Sequence, residues 1–544
     1  MSSVVQELRR ARRGRRLGDL EWFDVAYKVY IAALVGGGVI VWLSGLVTDT
    51  EATPAQVADV LEHGPVVLGF VVAVAIALGL RSGSDGGPVS VEAADVRHLL
   101  LAPVPRRDVL ARPVVQRLRS VVFAAALVGG VAGQLAARRL PGSPEAWAAS
   151  GALAGAATGA LFVAVAVLVH VGRIPRWLAT AVAVVVLAVQ GAAIAGGFPG
   201  PFDTIGSVAL WGMRQEPVDL VGIGVALVLS VLAVALSGRL RVEALVRRAD
   251  LVSQLRFAVT MQDLRTVVLL RRQLRGERPR NTPWIGRPRR SARRPTPAAG
   301  RLAPSTHAGW AIWQRGWRGL LRYPLARIVR MAILVVAAGI AVDAVLRGTT
   351  PALVGVGGAL YLLGLDAVEP LSQEIDHPDH TDAIPRPRGW LMAHHLVAPA
   401  IALVPFALLG AVSVIVVRPD AWAFALALCV PVTMVGICGS VVSIVRDAPD
   451  PLSPPTAASA AVPPEFAGFT STLRLLWPIA VSTIAGAMVL AARELPTIGT
   501  VLRMVVASGL VVGGTVWWVR RRDEWRKKWR AVLDGGRNPS GATT

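Results

Sequence analysis

Lysine is almost absent from this chain of 544 residues, which carries only Lys28, Lys527 and Lys528. A P-loop that binds ATP has the pattern GxxxxGK[ST], in which the lysine contacts the phosphates. None of the three lysines follows a glycine. The sequence therefore excludes a P-loop within this chain, and any ATP hydrolysis coupled to it must come from a separate subunit.

Cysteine is nearly as scarce, since only Cys429 and Cys438 occur and both lie in one apolar block. Nine residues turn a helix by about 900°, which puts the two thiols on opposite sides and about 13 Å apart along the axis. They cannot bond to each other within that helix. Neither a disulfide framework nor a cysteine metal site is expected.

Charged residues make up only 17% of the chain, whereas hydrophobic residues make up 53% and the mean hydropathy is +0.54. Soluble proteins carry about 25% charged residues. The apolar residues also gather in blocks of about 20, the length that a helix needs to cross a membrane. We therefore predict an all-α polytopic membrane protein with about 12 transmembrane helices and amphipathic interfacial helices.

The net charge of +22 is also found in nucleic-acid-binding proteins, but its distribution argues against that class. The charge lies between apolar blocks, as the positive-inside rule expects of cytoplasmic loops. The central Pro/Arg-rich segment lacks the interleaved aromatic residues on which bases stack. We expect a solvated linker there and no nucleic-acid partner.

Window hydropathy predicts twelve spans in two sets of six. The first six lie at about 27–48, 64–80, 120–137, 147–172, 177–196 and 218–237. The second six lie at about 326–346, 351–368, 391–417, 421–445, 475–492 and 497–519.

Charge orients these spans. With a cytoplasmic N-terminus, only six of the 57 Lys and Arg residues fall in external segments, as the positive-inside rule requires. They are Arg138, Arg139, Arg214, Arg347, Arg418 and Arg493. Both termini are therefore predicted to be cytoplasmic.

The spans and charges together predict five segments. These are a basic interfacial segment (1–26), a first six-span half (27–237), a cytoplasmic basic linker with an interfacial helix (238–325), a second six-span half (326–519) and a basic cytoplasmic tail (520–544).

The end of the linker carries Trp310, Trp313 and Trp317 at helical spacing, with arginines interspersed. Such a helix can lie in the headgroup layer, where tryptophan enters the apolar boundary and arginine meets lipid phosphates. The alternative is an amphipathic helix packed on a protein partner. Because a span follows at once, we favour the membrane interface.

The two predicted halves share a feature about 280 residues apart. After the second span comes Val104-Pro105-Arg106, and after the eighth comes Ile384-Pro385-Arg386. Leu110 and Leu391 follow the two turns at nearly equal distances. Repeats of this kind suggest a duplicated six-helix unit.

This layout resembles the membrane subunits of ATP-binding-cassette (ABC) exporters of the six-span type II class, with two such units fused. Those subunits begin with an interfacial helix, span the membrane six times and place a coupling helix between spans two and three. The matching stretches are 103–112 (PVPRRDVLAR) and 383–391 (AIPRPRGWL). The coupling residues that the resemblance implies are Pro103, Val104, Pro105, Arg106, Arg107, Ile384, Pro385, Arg386 and Arg388.

The resemblance implies a permease subunit in the cytoplasmic membrane of a bacterium. Its expected partners are a separate ABC ATPase subunit, in two copies, and membrane lipids. The exported substrate would be amphipathic or hydrophobic, and the chain itself would be neither an enzyme nor the holder of a cofactor.

Two other functions stay open. A twelve-span secondary transporter has the same span count, but the tight GxxxDRxGRR-like loop after span two is missing. A lipid-modifying membrane enzyme would need clustered acids and histidines, which only the stretch 374–382 (EIDHPDHTD) provides. That stretch is expected to face solvent, as an acidic docking surface or a plain loop more readily than as a metal site.

Polar groups at membrane depth are few: His170, Gln190, Asp343 and Asp366. We expect Gln190 to lie deepest, and His170 and Asp366 to lie at the cytoplasmic edge, where water can solvate them. The fourth span carries Gly151, Gly155 and Gly159, a spacing of four that lets helices approach closely. Tight packing is the better interpretation of these glycines, and a substrate passage is the alternative.

Overall fold

A computed structural model describes residues 51–84, 89, 105–241, 243, 245–246, 280–285, 305–376, 386–446, 464–494 and 497–537. The chain divides into two units, Met1–Gly276 and Glu277–Thr544. Every regular element in the described residues is a helix, and none is a strand. The all-helical part of the prediction is therefore confirmed.

The first unit contains seven α-helices in its described part. They are α1 (Pro54–Ser84), α2 (Arg106–Ala136), α3 (Pro144–Val171), α4 (Arg176–Gly196), α5 (Asp203–Val208), α6 (Trp211–Arg214) and α7 (Val221–Ala235). A 3-10 turn precedes α7 at Pro217–Leu220, and another follows it at Ser237–Arg239.

The second unit contains nine α-helices in its described part. They are α8 (Ser305–Leu320), α9 (Leu325–Leu346), α10 (Ala352–Ala367), α11 (Glu369–Asp376), α12 (Arg388–His395), α13 (Val397–Val417), α14 (Trp422–Arg446), α15 (Pro464–Glu494) and α16 (Ile498–Arg537). A 3-10 turn at Pro419–Ala421 joins α13 to α14.

Local sequence explains where these helices begin and end. At the start of α3, the Ser143 hydroxyl accepts a hydrogen bond from the Ala146 backbone N–H at 3.2 Å, and Pro144 occupies the first helical position, where no N–H is needed. At the end of α4, Gly197 takes a left-handed conformation with φ 65°, which favours glycine.

Nine helical stretches in the described residues are long and apolar enough to cross a membrane, or ten if α10 and α11 count as one bent span. These helices indicate a multi-pass membrane protein. The first predicted span (27–48) lies outside the described residues. The eleventh falls in α15, whose apolar stretch Trp477–Arg493 is shorter than the other candidates.

One predicted boundary differs from the structure, and another agrees with it. The third span is predicted at 120–137, but α2 already begins at Arg106, because a polar, arginine-containing first half continues the same helix. The eighth is predicted at 351–368 and matches α10; a 58° bend then separates α10 from α11, next to Pro370.

The two units share a pattern of helix neighbours. In the first, α3 packs against α1, α2 and α7, and α1 also packs against α4. In the second, α14 packs against α10, α13 and α16, and α10 also packs against α15. The match is partial, because α14 also packs against α15, whereas α3 and α4, at the corresponding places in the first unit, do not pack closely.

Candidate functional site: two proline-arginine turns and a charge cluster

The first proline-arginine turn lies directly before α2. Pro103 and Val104 are outside the described residues. Pro105 is the residue before the helix, and the side chains of Arg106 and Arg107 are exposed. One turn later Leu110 is fully buried, so that the start of α2 is anchored while its arginines face out.

This anchored start contacts the 3-10 turn that follows α7. A Cβ atom on Gly238, in the 3-10 turn Ser237–Arg239, would lie 3.1 Å from the Cβ atom of Arg107 and 3.2 Å from its backbone nitrogen. Because glycine has no side chain, the backbone of this turn can approach the first turn of α2 this closely.

The second turn lies directly before α12. Ile384 and Pro385 are outside the described residues. Arg386 is exposed, and its guanidinium lies 5.6 Å from the ring centre of Trp390, within the range of a cation–π contact. Arg388 begins the helix, and Leu391 is buried three residues later.

The start of α12 also meets the last helix of its unit. A Cβ atom on Gly389 would overlap the backbone carbonyl oxygen of Arg520 in α16. In both units, a glycine lets the helix that follows the turn touch a later helical element of the same unit. That element is the 3-10 turn after α7 in the first unit and the middle of α16 in the second.

The bend between α10 and α11, directly after the eighth predicted span, lies beside the second turn. Pro370 has no backbone N–H, so the carbonyl of Asp366, four residues earlier, lacks its usual helical partner. The Tyr323 hydroxyl donates to that carbonyl oxygen at 2.8 Å. Burial raises the pKa of Tyr323 above its ordinary value, so the hydroxyl keeps its proton and remains a donor.

Ion pairs surround this break. Arg330 of α9 holds the carboxylate of Asp366 in a two-pronged contact, with Nε and Nη2 each 2.6 Å from one oxygen. Such bidentate pairs are the strongest that arginine makes. Next to them, Arg327 Nη1 lies 3.8 Å from a carboxylate oxygen of Glu369, and both side chains are buried.

Glu374 corrects the expectation that its stretch faces solvent, because its side chain is only 4% exposed. Its Oε2 atom lies 3.3 Å from Arg315 Nη1 of α8 and 3.6 Å from His395 Nε2 of α12. The carboxylate therefore links the helix with the tryptophans to the helix after the second turn. Residues 377–382 of the stretch lie outside the described part of the chain.

The three tryptophans of α8 differ in their surroundings. Trp310 is exposed and stacks on Trp313 with ring centres 4.5 Å apart. Trp313 and Trp317 are partly buried against the apolar core of the second unit, and α8 packs against α12 and α13. One face of α8 thus lies on its own helical unit.

The polar groups of the first unit are also held by protein atoms. His170 is buried; its Nδ1 atom lies 3.1 Å from the Gly83 carbonyl oxygen, and its Nε2 atom accepts from the Arg241 backbone N–H. The expectation that water solvates His170 is wrong, because the ends of three segments enclose the ring.

Gln190 is fully buried near the end of α4. Its Nε2 atom donates to the Val66 carbonyl oxygen and to Asp203 Oδ1, both at 2.9 Å. Asp203 Oδ2 in turn accepts from the Gly200 backbone N–H at 2.6 Å. Gln190 therefore fastens the short helix α5 to α1 and α4.

The glycines of α3 lie against α2. A Cβ atom on Gly151 would overlap the carbonyl oxygen of Gly129, and one on Gly155 would overlap that of Ala125. A Cβ atom on Gly159 would lie 2.9 Å from the Cβ atom of Ala125. Backbone meets backbone along this interface, as small residues at a spacing of four allow.

Sequence reasoning did not identify the ion cluster around Pro370. Its signal was present, because Arg327 and Arg330 fall inside the seventh predicted span (326–346), while Asp366 lies at the end of the eighth (351–368) and Glu369 directly follows it. Charges of opposite sign at the adjoining ends of consecutive spans indicate pairing between them.

No metal-binding group of three or more His, Cys, Asp or Glu residues occurs within the described ranges. No protein-family model, no curated protein and no solved structure matches this chain.

Proposed function

We propose that this chain is the permease subunit of an ABC-type exporter in a bacterial cytoplasmic membrane, driven by separate ATPase subunits. The observation that carries this proposal is the contact shared by the two proline-arginine turns. In each unit, an exposed arginine lies at or just before the start of a helix whose first turn packs, through a glycine, on a later helical element of the same unit.

A contact of this kind can transmit motion from a docked partner to the helices of the unit. A docked partner with carboxylates would bind the exposed Arg106 and Arg386, since guanidinium groups match carboxylates in geometry and charge. A push on the first turn would reach the 3-10 turn after α7 through Gly238, and a push on the second would reach the middle of α16 through Gly389. In the second unit, the contact between His395 and Glu374 would carry the same push to α11 and α8.

The common neighbour pattern of the two units supports a duplicated six-span unit with one ATPase docked on each. Alternating access would then carry the transported molecule across the membrane. The absence of a lysine after any glycine assigns ATP hydrolysis to the partner. The transported molecule would be amphipathic or hydrophobic.

The test is retention of the ATPase. Full-length tagged protein, purified from membranes of its own host, is expected to copurify a protein that has a P-loop and ATPase activity. The double variant Arg106→Glu plus Arg386→Glu reverses the charge of one arginine in each turn. It should lower the retention of the ATPase about tenfold or more, because glutamates would then face the partner's carboxylates.

A charge-matched control separates docking from net charge. Arg173→Glu plus Lys528→Glu changes two other exposed basic residues by the same total charge and should leave retention unchanged. Failure of any P-loop protein to copurify with the wild-type chain refutes the permease proposal. Equal retention by both double variants refutes the assignment of the turns.

A further inference from the structure

The second unit contains an apolar cavity of about 60 Å³ between α9, α10, α13, α14 and α15. Its wall includes Val342 and Leu346 of α9, Val414 of α13 and Phe424 of α14. Only Cys429 and Thr433 bring a polar atom to the lining side chains. A cavity of this character stays dry and accepts apolar matter.

A cluster of charges lies within one helical turn of this wall. Asp343 follows Val342, Arg347 follows Leu346, and Arg418 comes one turn after Val414. Arg347 Nε donates to Asp343 Oδ2 at 2.7 Å, and Arg418 Nε lies 3.2 Å from Asp343 Oδ1. Two guanidinium groups thus share one buried carboxylate at the edge of an apolar cavity.

A third arginine lies at the same end of α9. Arg493 Nη1 donates to the Val345 carbonyl oxygen at 3.3 Å.

Arg418 also has donors to spare. Its contact with Asp343 Oδ1 lacks hydrogen-bond direction, since that oxygen has no hydrogen-bond partner. No acceptor in the described part of the chain takes a hydrogen bond from the Arg418 side chain. Guanidinium N–H groups bind phosphate oxygens in pairs, so an anion at this edge would satisfy them.

From these neighbours we infer that the edge of the cavity binds an anionic phospholipid, with its phosphate on Arg418 and part of one acyl chain in the cavity. The apolar wall accounts for the acyl chain, and the unused donors of Arg418 account for the phosphate. Because the cavity is small, it holds only a short part of the acyl chain, and the rest would follow the apolar helix surface outside. The site requires neither transport nor an ATPase.

Native mass spectrometry of the full-length protein in a neutral detergent tests this site, with phosphatidylglycerol as the probe. The wild type is expected to retain one phosphatidylglycerol more tightly than phosphatidylcholine. Arg418→Gln should weaken that retention about tenfold, since it removes a charge-assisted pair with phosphate. Arg503→Gln removes an exposed arginine of α16 and should leave retention unchanged.

A second matched pair tests the chain-binding part. Ala425→Leu fills the cavity that Ala425 lines and should abolish the tight site, whereas Ala423→Leu, on the exposed face of the same helix, should not. Alkylation of Cys429, which lines the cavity, should slow when phosphatidylglycerol is bound. Inorganic phosphate alone should not slow it.

Several outcomes overturn the inference. Equal retention of phosphatidylcholine and phosphatidylglycerol shows that the arginines do not select the headgroup. Retention that survives both Arg418→Gln and Ala425→Leu places the lipid elsewhere. Protection of Cys429 by inorganic phosphate alone identifies an anion site without a lipid chain. Thermal unfolding of each variant, matched to wild type, ensures that lost retention is not lost folding.

Discussion

The two units join their third and fourth predicted spans in different ways. In the first unit, α2 and α3 meet backbone to backbone at Gly129 and Gly151, so that no side chain fits between them. In the second unit, α13 and α14 lie beside a cavity of about 60 Å³. The backbones of α2 and α3 therefore meet without space for a side chain, whereas α13 and α14 border a cavity.

The units also hold their polar groups differently. Gln190 and Asp203 form a neutral-to-charged hydrogen bond at the end of α4 in the first unit. In the second unit, Asp366, Glu369 and Glu374 are all paired with basic side chains. We expect the tight interface of α2 and α3, with its few charges, to be rigid. We expect the cavity and the ion pairs of the second unit to permit rearrangement, and this difference can be tested.

The largest expected effect on stability comes from placing a side chain in the tight interface of α2 and α3. Gly129→Val would drive a side chain into the backbone of α3 at Gly151 and should lower the free energy of unfolding by about 3 kcal/mol or more. Ala411→Val, at the cavity of the second unit, should change it by less than about 1 kcal/mol. Thermal unfolding of the detergent-solubilised chain measures both.

Gly224→Val is the control for this comparison, because nothing lies within 4 Å of a Cβ atom there. It should be tolerated like the cavity variant. If Gly129→Val were as stable as Gly224→Val, the interface of α2 and α3 would have space for a side chain and would not be tightly packed.

A middle-sized effect should come from the ion pairs. Arg330→Gln leaves the Asp366 carboxylate without its bidentate partner and should cost about 3 kcal/mol. Gln190→Leu, in the first unit, should cost about 2 kcal/mol, because Asp203 keeps its bond from the Gly200 backbone. Chemical denaturation of both variants provides the comparison.

Reversal of the pair, Arg330→Asp with Asp366→Arg, should recover part of the loss. A loss in the reversed double variant equal to the sum of its two single changes would show that the contact contributes no coupling energy, and the contrast between the units would weaken.

The smallest effect should come from Tyr323→Phe, which removes the donor to the Asp366 carbonyl and should cost about 1 kcal/mol. In a Pro370→Ala background, a backbone N–H can replace that donor, so the same change should cost less. Equal costs in both backgrounds would mean that the hydroxyl does not compensate for the proline.

The stability difference between wild type and Tyr323→Phe should also depend on pH in alkaline solution. Burial raises the pKa of Tyr323, so its contribution to stability is complete below the unfolded pKa of about 10 and is lost as the pH rises above it. The stability difference between wild type and Tyr323→Phe should therefore shrink above about pH 10. Unfolding midpoints between pH 7 and 11 measure this change.

Much of the fold could be predicted because hydropathy is a local property. A block such as Val397–Val417 is recognisable as apolar over about 20 residues, whatever its neighbours are. The break at Pro370 was also legible, since proline removes a helical hydrogen bond wherever it stands. The eighth predicted span ends at 368, directly before the break, as α10 does.

The pairing of side chains could not be predicted in the same way. Glu374 lies in a stretch of acids and histidines that is typical of a solvated loop, yet Arg315 and His395 enclose it. Which charges meet depends on how each helix is rotated about its own axis. That rotation is set by packing between segments far apart in the chain.

The sequence by itself determined that this protein is helical, multi-pass and without a P-loop lysine, because segment composition and the identity of single residues settle those points. Only the tertiary structure decided that the glycines of α3 meet Gly129 and Ala125 of α2, and that Arg347 and Arg418 converge on Asp343 beside a cavity. Those contacts join residues up to about 75 positions apart, and their free energy depends on distance in space rather than along the chain.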